Sequence, residues 1–265
     1  MSKNGKKTTK ETAIAKITTD QLPDVFKPDK SGVAAGMENV DTSDIILARV
    51  GIVQEMSKCV DPEDKTAPRP GQFLNNITMK TYEAPITIIP LFYNKAAVLF
   101  PDEPGDPVEC SSRDGKTGRM YGTCNECEYN YAASWVNNEP PRCRAVHEFI
   151  SLFADDDPEN SIPFVITMMK SSYKTGQQLI TLATSKPGMP WCYAKYEIGK
   201  EYIKNDKGKF YIYTVRPAGL NSNLEAYADI YTMIKSAYNK GIVAQDFDES
   251  PDKISDDSFD TESFK

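Results

Sequence analysis

The sequence predicts a β-rich α+β core, on three observations. Aliphatic and β-branched residues fall in about seven short runs. Only two segments show the apolar spacing of a helix. One of these helical segments falls between strand-like runs, and the other closes the core, so regular βαβ alternation is excluded.

The elements follow in order. Residues 17–40 hold Pro23, Pro28, Gly32 and Gly36 and read as an extended linker. Asp44 to Gln54 is β-branched and aliphatic, a strand or two with a break at Gly51. Residues 57–72 are loop. Pro85–Tyr93 and Ala96–Phe100 read as paired strands turning at Asn94-Lys95. Val146–Phe153 and Pro163–Met169 are two more, joined by the turn Asp155 to Asn160. A helix spans Ser172 to Ser185 and stops before Pro187. Trp191–Ile198 and Lys209–Arg216 form a hairpin through Asn205 to Gly208. A last helix starts from an Asn221 or Ser222 cap. It carries Leu224, Tyr227, Ile230, Tyr231, Ile234 and Tyr238 on one stripe and ends before Gly241. A small barrel with one helix inserted between its strands, as in an OB-fold, fits this order. The organisation is a basic arm and linker at 1–40, a core at 41–245 with an irregular insertion at 101–145, and an acidic tail at 246–265.

Charge is segregated along the 265 residues. Residues 1–16 carry five lysines and one acid, and residues 165–245 carry 11 basic and 5 acidic side chains. Residues 17–164 carry 13 basic against 24 acidic, and residues 246–265 carry eight acids and two lysines. The total of −7 excludes a uniformly basic nucleic-acid binder. No apolar run is long enough to span a bilayer, and Met1–Lys16 has no apolar stretch of a secretory signal. No membrane association and a cytoplasmic location are expected. The single histidine, His147, excludes metal centres built on several imidazoles.

Four of six cysteines lie close together: Cys110, Cys124, Cys127 and Cys143. The Cys-x2-Cys pair forms a knuckle that offers two thiolates to one ion, and the outer two cysteines can complete a tetrahedron around Zn²⁺. The surrounding segment has few aliphatic residues, so a structural metal would supply stability that its core cannot. Disulfides are the competing reading, disfavoured in a reducing compartment. His147, four residues past Cys143, is an alternative fourth ligand. Cys59 and Cys192 read as core filling. Four thiolates leave no open position for catalysis.

From residue 165 on, cations coincide with rings. Lys170, Tyr173, Lys174, Trp191, Tyr193, Lys195, Lys207, Lys209, Tyr211, Tyr213 and Arg216 are candidate nucleic-acid contacts. On a strand, Trp191, Tyr193 and Lys195 would share one face, as would Tyr211 and Tyr213. Rings stack on unpaired bases while lysines neutralise phosphates. The cysteine segment adds Arg113, Lys116, Arg119, Tyr121, Tyr129, Trp135 and Arg144. The tail spaces Phe247, Phe259 and Phe264 among its acids, a pattern suited to docking in a basic, apolar-lined groove.

A lysine-rich arm, a β-rich core with an inserted cysteine loop and an acidic, phenylalanine-bearing tail together resemble bacteriophage single-stranded DNA-binding proteins, with the layout of the T4-type helix-destabilising protein. Lys6-Lys-Thr-Thr-Lys10 looks like that family's arm motif. The resemblance implies self-association through Lys6, Lys7 and Lys10, strand binding by an OB-fold core with zinc, and recruitment of phage or host replication and recombination proteins by the tail. The tail also resembles those of the T7-type protein and of bacterial single-strand binders, except that Lys265 follows Phe264. The T4-type loop has a histidine ligand, where this chain offers a fourth cysteine. Asp44–Gln54, Phe100–Cys110, Cys124-x2-Cys127, Cys143 and Pro163–Thr167 further resemble a group of phage proteins.

The expected function is non-enzymatic, sequence-tolerant single-stranded DNA binding in phage replication, recombination or repair. The tail would recruit partners or occupy the DNA groove in the free state. One alternative is a zinc-containing regulatory or interaction module without nucleic-acid binding. The other is a metal-dependent nuclease using Asp155, Asp156 and Asp157, a run that reads instead as a solvated turn.

Overall fold

A computed structural model describes residues 46–102, 106–132, 141–157, 161–205 and 208–239, together with 243–244 and scattered positions between 23 and 44. Contacts divide the chain at Asp44/Ile45, and the elements below belong to the second unit. They are β1 (Ile46–Ile52), β2 (Phe73–Asn75), β3 (Thr81–Tyr82), β4 (Ile86–Leu99), β5 (Cys110–Ser112), β6 (Thr117–Gly118) and β7 (Gly122–Thr123). Then come β8 (Cys143–Phe153), β9 (Phe164–Met169), α1 (Tyr173–Ala183), β10 (Ala194–Asn205), β11 (Gly208–Leu220), α2 (Ala228–Asn239) and β12 (Val243–Ala244).

One sheet runs β11-β10-β4-β8-β9-β1-β2-β3, with β5 added to β4 and β12 to β1. Only the pairings of β1 with β9 and with β12 are parallel. The sheet curls into a half-barrel, an arrangement compatible with an OB-like barrel. Its outer strand β11 comes round to the end of β1, where the Gln54 side chain bridges the two. Gln54 Oε1 accepts from Tyr211 N at 2.8 Å, and its Nε2 donates to Tyr211 O at 3.1 Å. Two residues on, Tyr213 N donates to Ser172 Oγ and Thr175 Oγ1 donates to Tyr213 O. Side chains thus satisfy edge groups that would otherwise invite another strand.

Strand alternation splits the core into two faces. Ile88, Phe149 and Ile166 point with Phe73, Tyr196 and Ile198 into the concave side, against Leu179 and Ala183 of α1. Ile89, Leu91, Ile150, Leu152 and Val165 point the other way, onto Tyr227 and Ile234 of the final helical segment. The predicted stripe of that segment is therefore its packed face. α1 lies within the predicted 172–185 span. α2 begins later than the Asn221 cap implies: a 3₁₀ turn at Glu225–Tyr227 precedes it, and Asn223 Oδ1 accepts from Ala226 N.

Three sequence expectations are corrected. Pro85–Tyr93 and Ala96–Phe100 are not a hairpin but one strand, β4, paired with β8 from Ile88 to Leu99. Asn-Lys lacks the glycine that a tight hairpin turn favours, and Asn94 instead donates to Glu148 Oε2 at 2.9 Å. The irregularity falls at Pro90, where the ladder shifts register; proline has no N–H to give. Gly51 does not break β1 but pairs with Leu74 inside it. Trp191–Tyr193 is a 3₁₀ turn, not strand, and β10 starts at Ala194.

Candidate functional site

The β10–β11 hairpin pairs from Ala194↔Leu220 to Asn205↔Gly208, with one register shift between Lys195 and Tyr196 and an unbroken register from there to the tip. β4 pairs with β10 only at Tyr196, Glu197 and Ile198. Beyond Ile198 the hairpin stands clear of β4. There Lys200 lies opposite Tyr213, Tyr202 opposite Tyr211 and Lys204 opposite Lys209. Directly opposed residues share a face, so Lys200, Tyr202, Lys204, Lys209 and Tyr211 form one surface of cation and ring, with Tyr213 at its inner end turned into the core. The Tyr202 and Tyr211 rings lie 5.1 Å apart, and Lys200 Nζ sits 5.6 Å from the Tyr211 centroid. Gly71, at φ +85°, brings the 53–72 loop against the inner part of this same face: a Cβ there would meet Lys200 Nζ at 2.7 Å and the Tyr211 ring at 3.1 Å. Glu201 is on the other face, opposite Ile212. Glu55 borders the surface, accepting from the Tyr202 hydroxyl at 3.1 Å. Among the described residues Lys200, Lys204 and Lys209 form no ion pair.

The hairpin base is different. Tyr193 and Tyr196 are buried. Trp191 stacks on Tyr93 at 5.7 Å and packs against Phe149. Tyr173 stacks on His147 at 4.2 Å. Tyr213, though level with Lys200, packs into the concave core, and desolvation pushes its phenol up to about 12. Trp191, Tyr193, Tyr173 and Tyr213, expected at the interface, support the barrel instead: the 3₁₀ turn carries the first two inward, α1 carries Tyr173 onto His147, and β11 carries Tyr213 towards Phe73. Of the remaining candidates, Lys174 and Lys209 are exposed and Lys195 is half-buried. Lys170 lays its Nζ over Phe100 at 4.2 Å, and Arg216 is bound to Glu197. Tyr202 and Lys204, neighbours in the run of rings and cations from residue 165 on, join the surface, and so does Lys200, which the sequence did not single out. The hairpin register is the signal that identifies them.

His147 is buried, and its Nδ1 shares a hydrogen bond of 2.9 Å with the Tyr93 hydroxyl. Burial, then nearby Lys95, lowers its pKa to about 4.

The cysteine segment forms a second feature. Leu99 of β4 is the register partner of both Cys110 on β5 and Cys143 on β8. These two therefore project from the same face of the sheet. The β6–β7 hairpin folds over them, with Arg119 N donating to Ser111 O and Cys124 N to Lys116 O. All four cysteines line one cavity of about 20 Å³, with Gly118, Tyr121, Tyr129 and Tyr131. Burial and then the neighbouring Cys124, Cys110 and Cys127 push the Cys143 thiol up to about 11. Among the described residues no three His, Cys, Asp or Glu side chains stand at ion-holding distance. Arg113, Lys116, Arg119 and Tyr121 are exposed around this loop, whereas Tyr129 and Arg144 are half-buried. Arg142 lies over the Tyr129 ring and pairs with Glu109 at 2.7 Å.

A larger cleft of about 230 Å³ borders β1 and β9, with Arg49, Asn76, Thr167 and Tyr213 in its wall. Its Arg49 is tied to Glu148 and Thr167. Asp155, Asp156 and Asp157 are exposed in the turn after β8. Trp135, Lys207, the arm residues Lys6, Lys7 and Lys10, and the tail residues Phe247, Phe259 and Phe264 lie outside the described residues. No helix among the described residues is long and apolar enough to cross a membrane.

A family model described as Pam3 phage gp34-like protein matches residues 10–243. No curated protein and no solved structure matches the chain.

Proposed function

The chain belongs to the Pam3 phage gp34-like family, and for this phage protein we propose sequence-tolerant binding of single-stranded DNA in replication, recombination or repair. One observation carries the reading: the outer half of the β10–β11 hairpin presents Lys200, Tyr202, Lys204, Lys209 and Tyr211 on a single face, with Glu201 turned to the other. Extended single strands pair a repeating anionic backbone with unstacked bases. An alternation of ammonium groups and phenol rings suits both parts. The chemistry is sequence-tolerant, because every base has a face to stack and every nucleotide a phosphate. Under this reading the curled sheet serves as an OB-like barrel that holds the hairpin outward. The acidic tail at 246–265 is then a partner-recruiting or self-masking segment.

Titration of fluorescent oligo-dT and of duplex DNA of the same length tests the reading. The expected result is binding of the single strand, weakening steeply with salt, with little affinity for the duplex. Equal affinity for both, or none for either at low salt, would overturn it, the second outcome leaving a protein-interaction module.

A further inference from the structure

We propose that Cys110, Cys124, Cys127 and Cys143 bind one zinc ion through four thiolates, and that His147 takes no part. The inference does not depend on DNA binding. Cys110 and Cys143 flank Leu99 on neighbouring strands and face the same way. Cys124 and Cys127, a Cys-x2-Cys knuckle just past β7, line the same cavity. Four sulfurs brought together from three separate segments match the donor number and spacing pattern of a closed structural zinc site.

Gly118 supplies independent support. A Cβ at this position would stand 3.0 Å from Cys110 Sγ and 3.9 Å from Cys124 Sγ. The backbone there thus leaves open the space in which these two sulfurs converge. No carboxylate or imidazole lines the cavity. The lining also holds neutral oxygens of Ser112, Asn130 and Tyr131, but its only groups that can become anionic ligands near neutral pH are the four thiols, which favours a thiophilic ion over magnesium or calcium. The thiols as they stand ring the cavity more widely than a Zn–S shell of about 2.3 Å; rotation of the cysteine side chains must draw them in. The loop has little else to order it. Arg113, Asp114, Lys116, Thr117, Arg119, Met120 and Tyr121 are all exposed, so its apolar burial is small and a metal would replace the missing core. Arg144, half-buried on β8 next to Cys143, offsets part of the charge of four thiolates.

His147 has other commitments. It does not line the cavity, its Nδ1 is bonded to Tyr93, and its ring is stacked on Tyr173. Cys59 lines the separate cleft beside β1, and Cys192 packs in the core under α2.

The test uses the full-length protein, purified under reducing conditions without added metal. Elemental analysis should find one zinc per chain, and zinc X-ray absorption should show four sulfurs at about 2.3 Å with no imidazole scattering. Cys124→Ser and Cys127→Ser should abolish the zinc, while Cys59→Ser and Cys192→Ser should retain it. Should the first two variants fail to fold, mercurial titration of the wild-type chain gives the same answer, zinc leaving as four thiols react. Three sulfurs plus an imidazole, a folded protein devoid of zinc, or a mass reduced by disulfide formation would each overturn the proposal.

Discussion

The two ends of the β10–β11 hairpin both set rings beside lysines and have opposite roles. The base, with the 3₁₀ turn that leads into it, carries Trp191, Tyr193, Tyr196 and Lys195; the outer half carries Tyr202, Tyr211, Lys200, Lys204 and Lys209. Rings at the base are held in the core, Tyr196 at 2% exposure, whereas Tyr202 is 44% exposed. The difference lies in the neighbours. At the base β4 pairs with β10, and α1 packs against the concave side. Past Ile198 β4 no longer accompanies β10; on the same face the loop at Gly71 meets Lys200 and Tyr211, and Tyr202 beyond it is left exposed. An aromatic residue beside a lysine is thus a core residue or a surface one according to which strand flanks it, something composition does not encode.

The largest effect should come from the base. Tyr196→Ala removes a fully buried ring and should cost about 3–5 kcal/mol in denaturant unfolding. A cost below about 1 kcal/mol would mean that the base is not core, and the contrast would fail. His147 adds a pH dependence to the same buried region. Its folded pKa of about 4 lies below the ordinary 6.5. The unfolded chain therefore binds the proton more readily. This contribution is complete above pH 6.5 and is lost as pH falls towards 4, about 3 kcal/mol in all. Unfolding of wild type and His147→Gln across that window should differ in slope; parallel curves would contradict the burial.

Tyr202→Ala should instead leave the unfolding midpoint nearly unchanged and weaken oligo-dT binding roughly tenfold or more, the loss of one stacked base. The pair Lys204→Gln and Lys209→Gln should lower affinity for every sequence alike. It should also flatten the salt dependence by about 0.7 per lost phosphate contact. An unchanged salt slope would place the phosphates elsewhere. Removing 246–265, if the tail masks this surface, should raise affinity modestly at low salt; unchanged affinity would limit the tail to recruiting partners.

Much of the fold was legible in the sequence. β-branched runs located β1, β8 and β9, and the apolar stripe of the last helical segment named the residues that pack under it. Three features were not legible, each for a physical reason. Asn94-Lys95 reads as a turn locally, but Glu148 and the β8 ladder hold it extended. Trp191 to Tyr193 alternates like a strand, yet tertiary packing of Trp191 on Tyr93 and Phe149 accompanies a 3₁₀ turn. Lys200 and Tyr202 acquire their role only from a register set over thirteen residues of β11. The grouping of the four cysteines was legible from their spacing, and all four line one cavity; that Cys110 and Cys143 flank one residue, Leu99, needed the sheet.

The central claim is that an extended strand lies along the outer hairpin. Photo-crosslinking of the full-length protein to a bromodeoxyuridine-substituted single strand, followed by peptide mass spectrometry, tests it most directly. The account predicts attachment within residues 200–213, at Tyr202 or Tyr211. Attachment confined to other segments, with the hairpin peptides unmodified, would contradict it.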